Sequence, residues 1–181
     1  MSSIEKSLTS SALILGGARS GKSRYAEELA IESGKDVIYI ATAKVLDNEM
    51  KERVRHHKND RPAHWTTVEE PLLLANMLED YASPNRIILV DCLTMWLTNL
   101  LTENDDALLE TQVKQLHTSL AKLSGDVIFV SNEVGMGIIP LGELTRKFVD
   151  EAGRLHQQLA QQVNIVTLMV AGLPHIIKTD K

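Results

Sequence analysis

Eight residues limit what this chain can fold into more than any others. Gly16-Gly17-Ala18-Arg19-Ser20-Gly21-Lys22-Ser23 fits the pattern G-x-x-x-x-G-K-[ST] at every position. Such a loop works only where a buried strand runs into a helix N-terminus. Ala12-Leu13-Ile14-Leu15 before it is a short apolar run that reads as that strand. Tyr25, Ala26, Leu29 and Ala30 after it recur at helical spacing over 23–33, and Gly34 is the expected stop. The glycines let the backbone turn sharply and aim several N–H groups inward. The following helix adds partial positive charge at its start. Lys22 then reaches the β- and γ-phosphates of ATP or GTP, and the Ser23 hydroxyl ligates Mg²⁺. A partner carboxylate for the ion belongs at the end of another apolar strand. Asp91, which closes Ile87-Ile88-Leu89-Val90, is that candidate. The alternative for Asp91 is an ordinary strand-end residue.

Strands and helices alternate along the rest of the chain. Strands are expected at 37–41, 86–91, 126–131 and 164–171. Helices are expected from Asp47 to about Lys58, from Glu70-Pro71 onward, over 94–101 and over 106–123. A further long helix carries Leu144, Phe148, Ala152, Leu155 and Leu159 on one face. Nearly all-apolar strands between helices indicate an α/β fold with a mostly parallel sheet covered on both faces. Residues 1–10 read as a flexible lead and 11–181 as a single nucleotide-binding catalytic domain, the usual outcome at 181 residues.

Composition narrows the function classes. A net charge of -5 argues against a surface built to coat nucleic acid. The single cysteine, Cys92, excludes an intrachain disulfide and a cysteine-based zinc cluster. Met1 to Ser11 is polar, and no apolar run approaches the ~20 residues that span a bilayer, so a cytoplasmic protein with no membrane span is expected.

Three of the six histidines fall within 56–64. Adjacent residues on a helix point about 100° apart, so His56 and His57 are poorly placed to share a metal ion. Met50, Val54 and His57 stand at i, i+4 and i+7 and share a face, while His56 lies to the side. If that face packs inward, His57 is either a hydrogen-bonded packing histidine or a nucleophile. A neutral imidazole attacks phosphorus to give a phosphoramidate and splits one transfer into two. Lys58 and Arg61 are either steadying charges for the phosphate or a solvated basic patch.

Taken together, these segments resemble the bifunctional adenosylcobinamide kinase / adenosylcobinamide-phosphate guanylyltransferase family of cobalamin biosynthesis. The likeness runs from Ala12 to about Lys178. It is carried by the phosphate loop with Arg24, Tyr-Ile-Ala-Thr-Ala at 39–43, Asp-x-Glu-Met at 47–50 and His-His-Lys-x-x-Arg-Pro-x-His-Trp at 56–65. Asp-Cys-Leu-Thr at 91–94 and Ser-Asn-Glu-Val-Gly-Met-Gly-Ile-Ile-Pro at 131–140 add to it. The histidine segment and Asn-Glu-Val-Gly-Met-Gly are the specific parts. The resemblance implies a RecA-like three-layer P-loop fold, a homotrimer, and two reactions. A nucleoside triphosphate phosphorylates adenosylcobinamide. GTP then passes GMP to an enzyme histidine and on to adenosylcobinamide phosphate. The histidine falls on His57. The family's GTP contacts fall on Gly16 to Ser23, on Ala41, Thr42 and Ala43, on Lys58, Asn59, Asp60 and Arg61, on Glu69 and on Asp91. Asp91 stands where some members carry Glu.

Several residues keep two readings. Glu133 is a general base for the corrinoid hydroxyl or an acceptor for backbone N–H groups. Arg19 holds phosphate or is a surface charge. Glu69 holds the ribose of GTP or caps a helix. Trp65 stacks on guanine or packs, and Cys92 reads as a buried filler. Two other functions stay open: a kinase that lacks the histidine step, and a non-catalytic nucleotide-dependent module.

Overall fold

The computed structural model describes residues 11–44 and 61–180. In chain order the elements are β1 (Ser11–Gly16), α1 (Lys22–Glu32), β2 (Asp36–Ala41), β3 (Thr66–Glu69), α2 (Leu74–Tyr81) and β4 (Arg86–Asp91). There follow α3 (Leu93–Thr102), α4 (Asp106–Ala121), β5 (Asp126–Asn132), α5 (Glu143–Gln162), β6 (Ile165–Val170) and β7 (Leu173–Thr179). The strands form one sheet in the order β3-β2-β4-β5-β1-β6-β7. Every neighbouring pair is parallel except the antiparallel β6–β7 hairpin.

Period-two alternation divides each apolar strand between two cores. Leu13, Ile88, Val90, Val127 and Phe129 pack on one face beneath α2, α3, α4 and α5. Ala12, Ile14, Tyr39, Leu89, Ile128 and Val130 pack on the other, against Ala26, Leu29 and Ala30 of α1 and against Trp65. This is the expected three-layer α/β architecture, with a strand buried on both faces wherever the sequence shows an unbroken apolar run.

One expected boundary moves, and two edge strands are unexpected. The helix expected from Glu70-Pro71 begins at Leu74. The Glu70 carboxylate accepts from the N–H groups of Leu72 and Leu73, both at 2.8 Å, and satisfies donors just ahead of the helix instead of lying inside it. The edge strands β3 and β7 had no counterpart among the expected elements. β7 is held by Lys178, whose Nζ donates to the backbone carbonyls of Val163 at 2.6 Å and Ala160 at 3.1 Å, at the C-terminal end of α5. The expected helix over 47–58 lies outside the described residues.

The strand order positions the site. Ligands in such sheets bind beyond the carboxyl ends of the strands. Glu69, Ala41 and Asp91 stand in one row across β3, β2 and β4, and Gly16 pairs with Asn132 across β1 and β5. The phosphate loop and Asp91 therefore share the same edge, with one strand, β5, between them.

Candidate active site

The loop has the backbone its glycines predict. Gly21, at the start of α1, has φ 91°, and Arg19 also takes a positive φ of 55°. A Cβ on Gly16 would lie 2.8 Å from the Met169 carbonyl oxygen and 2.5 Å from Ser20 Oγ, so the loop passes too close to β6 for a side chain there. Ser20 N–H donates to Gly17 O at 3.3 Å, and Gly172 N–H donates to Ser20 O at 3.0 Å, which ties the loop to the β6–β7 turn. Gly17, Ala18 and Arg19 are exposed at the tip.

Lys22 Nζ donates to Gly17 O at 2.9 Å. Burial lowers its pKa, while the nearby Cys92 and Asp91 oppose that shift. Lys22 and Asp91 thus feel each other's charge at one site. Asp91 Oδ2 accepts from Tyr39 Oη at 2.9 Å. Burial, and then the negative charge of Asp91, raise the Tyr39 phenol well above its ordinary value, so it stays a donor. The Arg61 guanidinium lies 3.4 Å from the centroid of the same ring. Its Nε and Nη1 are buried with no hydrogen-bond partner among the described residues. Trp65 stacks on Tyr39 at 6.4 Å between centroids and 26° between planes, and is 7% exposed. Packing is therefore its observed role. Tyr39 is the residue that joins this cluster, and residue-level reading gave it no function; its only signal was its place in the 39–43 segment.

The remaining candidates sort as follows. Ala41 and Ala43 are half-buried at the end of β2, whereas Thr42 is fully buried with its hydroxyl bonded to Cys92. Glu69 is exposed at the end of β3. Ser23 lies in the first turn of α1, directly after Lys22. His57, Lys58, Asn59 and Asp60 lie outside the described residues. Glu133 donates its backbone N–H to Gly16 O at 3.0 Å. Its carboxylate accepts from Gly135 N–H at 2.7 Å and Met136 N–H at 3.3 Å. That is the backbone-binding alternative. Burial pushes the Cys92 thiol up to about 11, which suits an inert filler.

Ser23 and Asp91 offer hard oxygen donors, and no group of three or more His, Cys, Asp or Glu residues suited to a metal occurs among the described residues. Such a sparse donor set fits Mg²⁺, which draws its other ligands from phosphate and water.

The sequence model of the family described as cobinamide kinase / cobinamide phosphate guanyltransferase matches residues 12–177. The chain belongs to this family. The bifunctional adenosylcobalamin biosynthesis protein CobP of Pseudomonas aeruginosa is 56% identical over 168 residues, covering 93% of this chain and 97% of that protein. The corresponding protein CobU of Escherichia coli is 40% identical over 179 residues, covering 92% and 98%. Among solved structures, PH0250 from Pyrococcus horikoshii OT3 superposes with TM-score 0.58 at 10% identity, over 96% of this chain and 90% of that one. The RadB recombinase does so with TM-score 0.52 at 16% identity, over 88% and 73%. These two establish the fold alone. As a member of the cobinamide kinase / guanyltransferase family, the chain is a transferase of adenosylcobalamin biosynthesis with a nucleotide-binding P-loop. No helix among the described residues is long and apolar enough to cross a membrane.

Proposed function

We propose that the chain phosphorylates the aminopropanol hydroxyl of adenosylcobinamide with ATP or GTP, and then guanylylates the product through His57. In the second reaction His57 Nε2 or Nδ1 attacks the α-phosphorus of GTP, and pyrophosphate leaves. The phosphate oxygen of adenosylcobinamide phosphate then attacks the phosphoramidate phosphorus. The P–N bond breaks, and His57 is regenerated with adenosylcobinamide-GDP as product.

The observation that carries this reading is the cluster of Lys22, Asp91, Tyr39 and Arg61 at one edge of the sheet. Lys22 offers a cation to the β- and γ-phosphates. Arg61 presents buried N–H groups suited to phosphate oxygens, and it re-enters the described chain only four residues after His57. Lys58, Asn59 and Asp60 lie between the two. Ser23 and Asp91 would hold Mg²⁺, which when bound neutralises charge on the triphosphate. The backbone of the Ala41–Ala43 segment and the Glu69 side chain line the same edge and are assigned to the nucleoside end of GTP. Ile138, Ile139, Leu141 and Leu173 are among the most exposed apolar side chains, which supports self-association, assigned here as a trimer.

The test is GTP labelled at the α-phosphate, incubated with Mg²⁺. A protein-bound label that is acid-labile and alkali-stable is expected, lost in His57→Ala and partly kept in His56→Ala. A label that persists in His57→Ala would sink the assignment, and no label in the native chain would leave a kinase only.

A further inference from the structure

Thr42 follows the last residue of β2, where the backbone ladder between β2 and β4 runs out. Ala41 pairs with Asp91, and the next backbone contact, Thr42 N–H to Asp91 O, has stretched to 3.4 Å. Here a side chain takes over the ladder. Thr42 Oγ1 donates to Cys92 O at 2.6 Å and accepts from Cys92 N–H at 3.0 Å. One hydroxyl thus satisfies both backbone groups of the residue after Asp91, using its single donor and an acceptor lone pair. The Thr42 carbonyl is held in turn by Asn99. That amide, 3% exposed within α3, donates through Nδ2 to Thr42 O at 2.7 Å and to Pro71 O at 3.0 Å. A buried amide in an apolar helix is destabilising unless its N–H groups are used, and here both are.

We propose that Thr42, braced by Asn99, is a positioning residue: its hydroxyl clasps Cys92 so that Asp91 presents its carboxylate to the metal-bound triphosphate. Thr42 therefore serves the site from behind, through Asp91, and its side chain does not touch nucleotide. The proposal rests on Asp91 as the metal ligand. It separates Thr42 from its neighbours Ala41 and Ala43, whose side chains have no hydroxyl to offer. Valine at this position would keep the shape and remove both bonds to Cys92. The Cys92 N–H would then lack the Thr42 acceptor, and the Cys92 carbonyl would keep the Trp96 N–H at 3.2 Å alone.

The test measures binding of a fluorescent N-methylanthraniloyl GTP with saturating Mg²⁺ and with EDTA, in the whole protein. The quantity read is the tightening that Mg²⁺ brings. Thr42→Val is expected to reduce that tightening about tenfold or more, the usual scale for residues that orient a metal ligand, with affinity in EDTA unchanged. Thr42→Ser restores it. Asp91→Asn abolishes it, and Thr42→Val adds nothing in the Asp91→Asn background, because both act through one group. Native tightening in Thr42→Val, or equal weakening in EDTA, would overturn the proposal. Native tightening in Asp91→Asn would remove the metal reading and this inference with it. If Thr42→Val fails to fold, Asn99→Ala serves: a smaller loss of tightening supports the brace, and an unchanged value overturns it.

Discussion

Tyr39 Oη donates a 2.9 Å hydrogen bond to Asp91 Oδ2, between residues 52 positions apart in the chain. Tyr39 is 2% exposed, so its hydroxyl has little access to water in place of that partner. Tyr39→Phe keeps the ring beneath Arg61 and against Trp65 and removes only the bond. A buried hydrogen bond to a charged group contributes about 1.5–3 kcal/mol, and Asp91 is only half-buried, so the lower end applies. At about 2–4 °C per kcal/mol for a chain of this size, thermal melting should fall by about 3–6 °C. An unchanged melting temperature would mean that the bond contributes nothing to stability.

Lys22→Ala removes the cation that donates to Gly17 O and feels the charge of Asp91. The half-buried side chain supports little of the core, so stability should change by less than about 1 kcal/mol. Loss of a charge aimed at the transferring phosphoryl group should lower kcat for phosphorylation of adenosylcobinamide by about 100-fold or more. A kcat within tenfold of the native value would contradict the proposed phosphate site.

His156 makes a 2.8 Å contact from Nε2 to Ser131 Oγ, and Ser131 Oγ lies 3.4 Å from Thr94 Oγ1. Burial lowers the His156 pKa, and the charge of Glu133 only partly opposes that shift. The folded protein therefore holds His156 neutral at a pH where the unfolded chain has already bound its proton. Stability rises with pH wherever the unfolded state binds more protons. The contribution of His156 is thus present above its unfolded pKa of about 6.5 and is lost as pH falls through that value towards the folded pKa. Urea denaturation measured between neutral and mildly acid pH should show this slope. His156→Asn should flatten it, whatever its effect at neutral pH, and an equally steep slope in the variant would refute the assignment.

Lys178→Met deletes the donor that closes the C-terminal end of α5 while keeping most of the aliphatic stem. Carbonyls of Val163 and Ala160 lose an ammonium partner. The side chain keeps some contact with water, so about 1 kcal/mol of stability should be lost. Hydrogen exchange should quicken in β7 and the last turn of α5 and remain unchanged in β4. Uniform quickening would point to a global effect instead.

The central strands were legible because each is an apolar run buried on both faces, and burial of that kind shows directly in composition. β3 offered no such signal. Thr66-Thr67-Val68-Glu69 has one apolar residue, and three of its four positions are exposed. An edge strand of this type is specified by the hydrogen bonds of its neighbour β2, not by its own side chains. β7 is hidden in the same way, with Pro174 and His175 interrupting its apolar residues. The helix start at 70–71 was misplaced because Glu70 meets the need of the free N–H groups without joining the helix. The phosphate loop could be read because all its parts are local. Asp91 could be read from its place at a strand end. The link from Tyr39 to Asp91, and the inward turn of Thr42, depend on the pairing of β2 with β4, which no local pattern encodes.

Arg61 lies on the ring of Tyr39, and Lys44 follows β2 by three residues, so the chain leaves for residues 45–60 and returns from them at the same strand. Both moorings lie on β2, whose Tyr39 also holds Asp91. One ring therefore ties the candidate metal ligand to the point where the chain returns to the sheet, and a substitution of Tyr39 would disturb the two together.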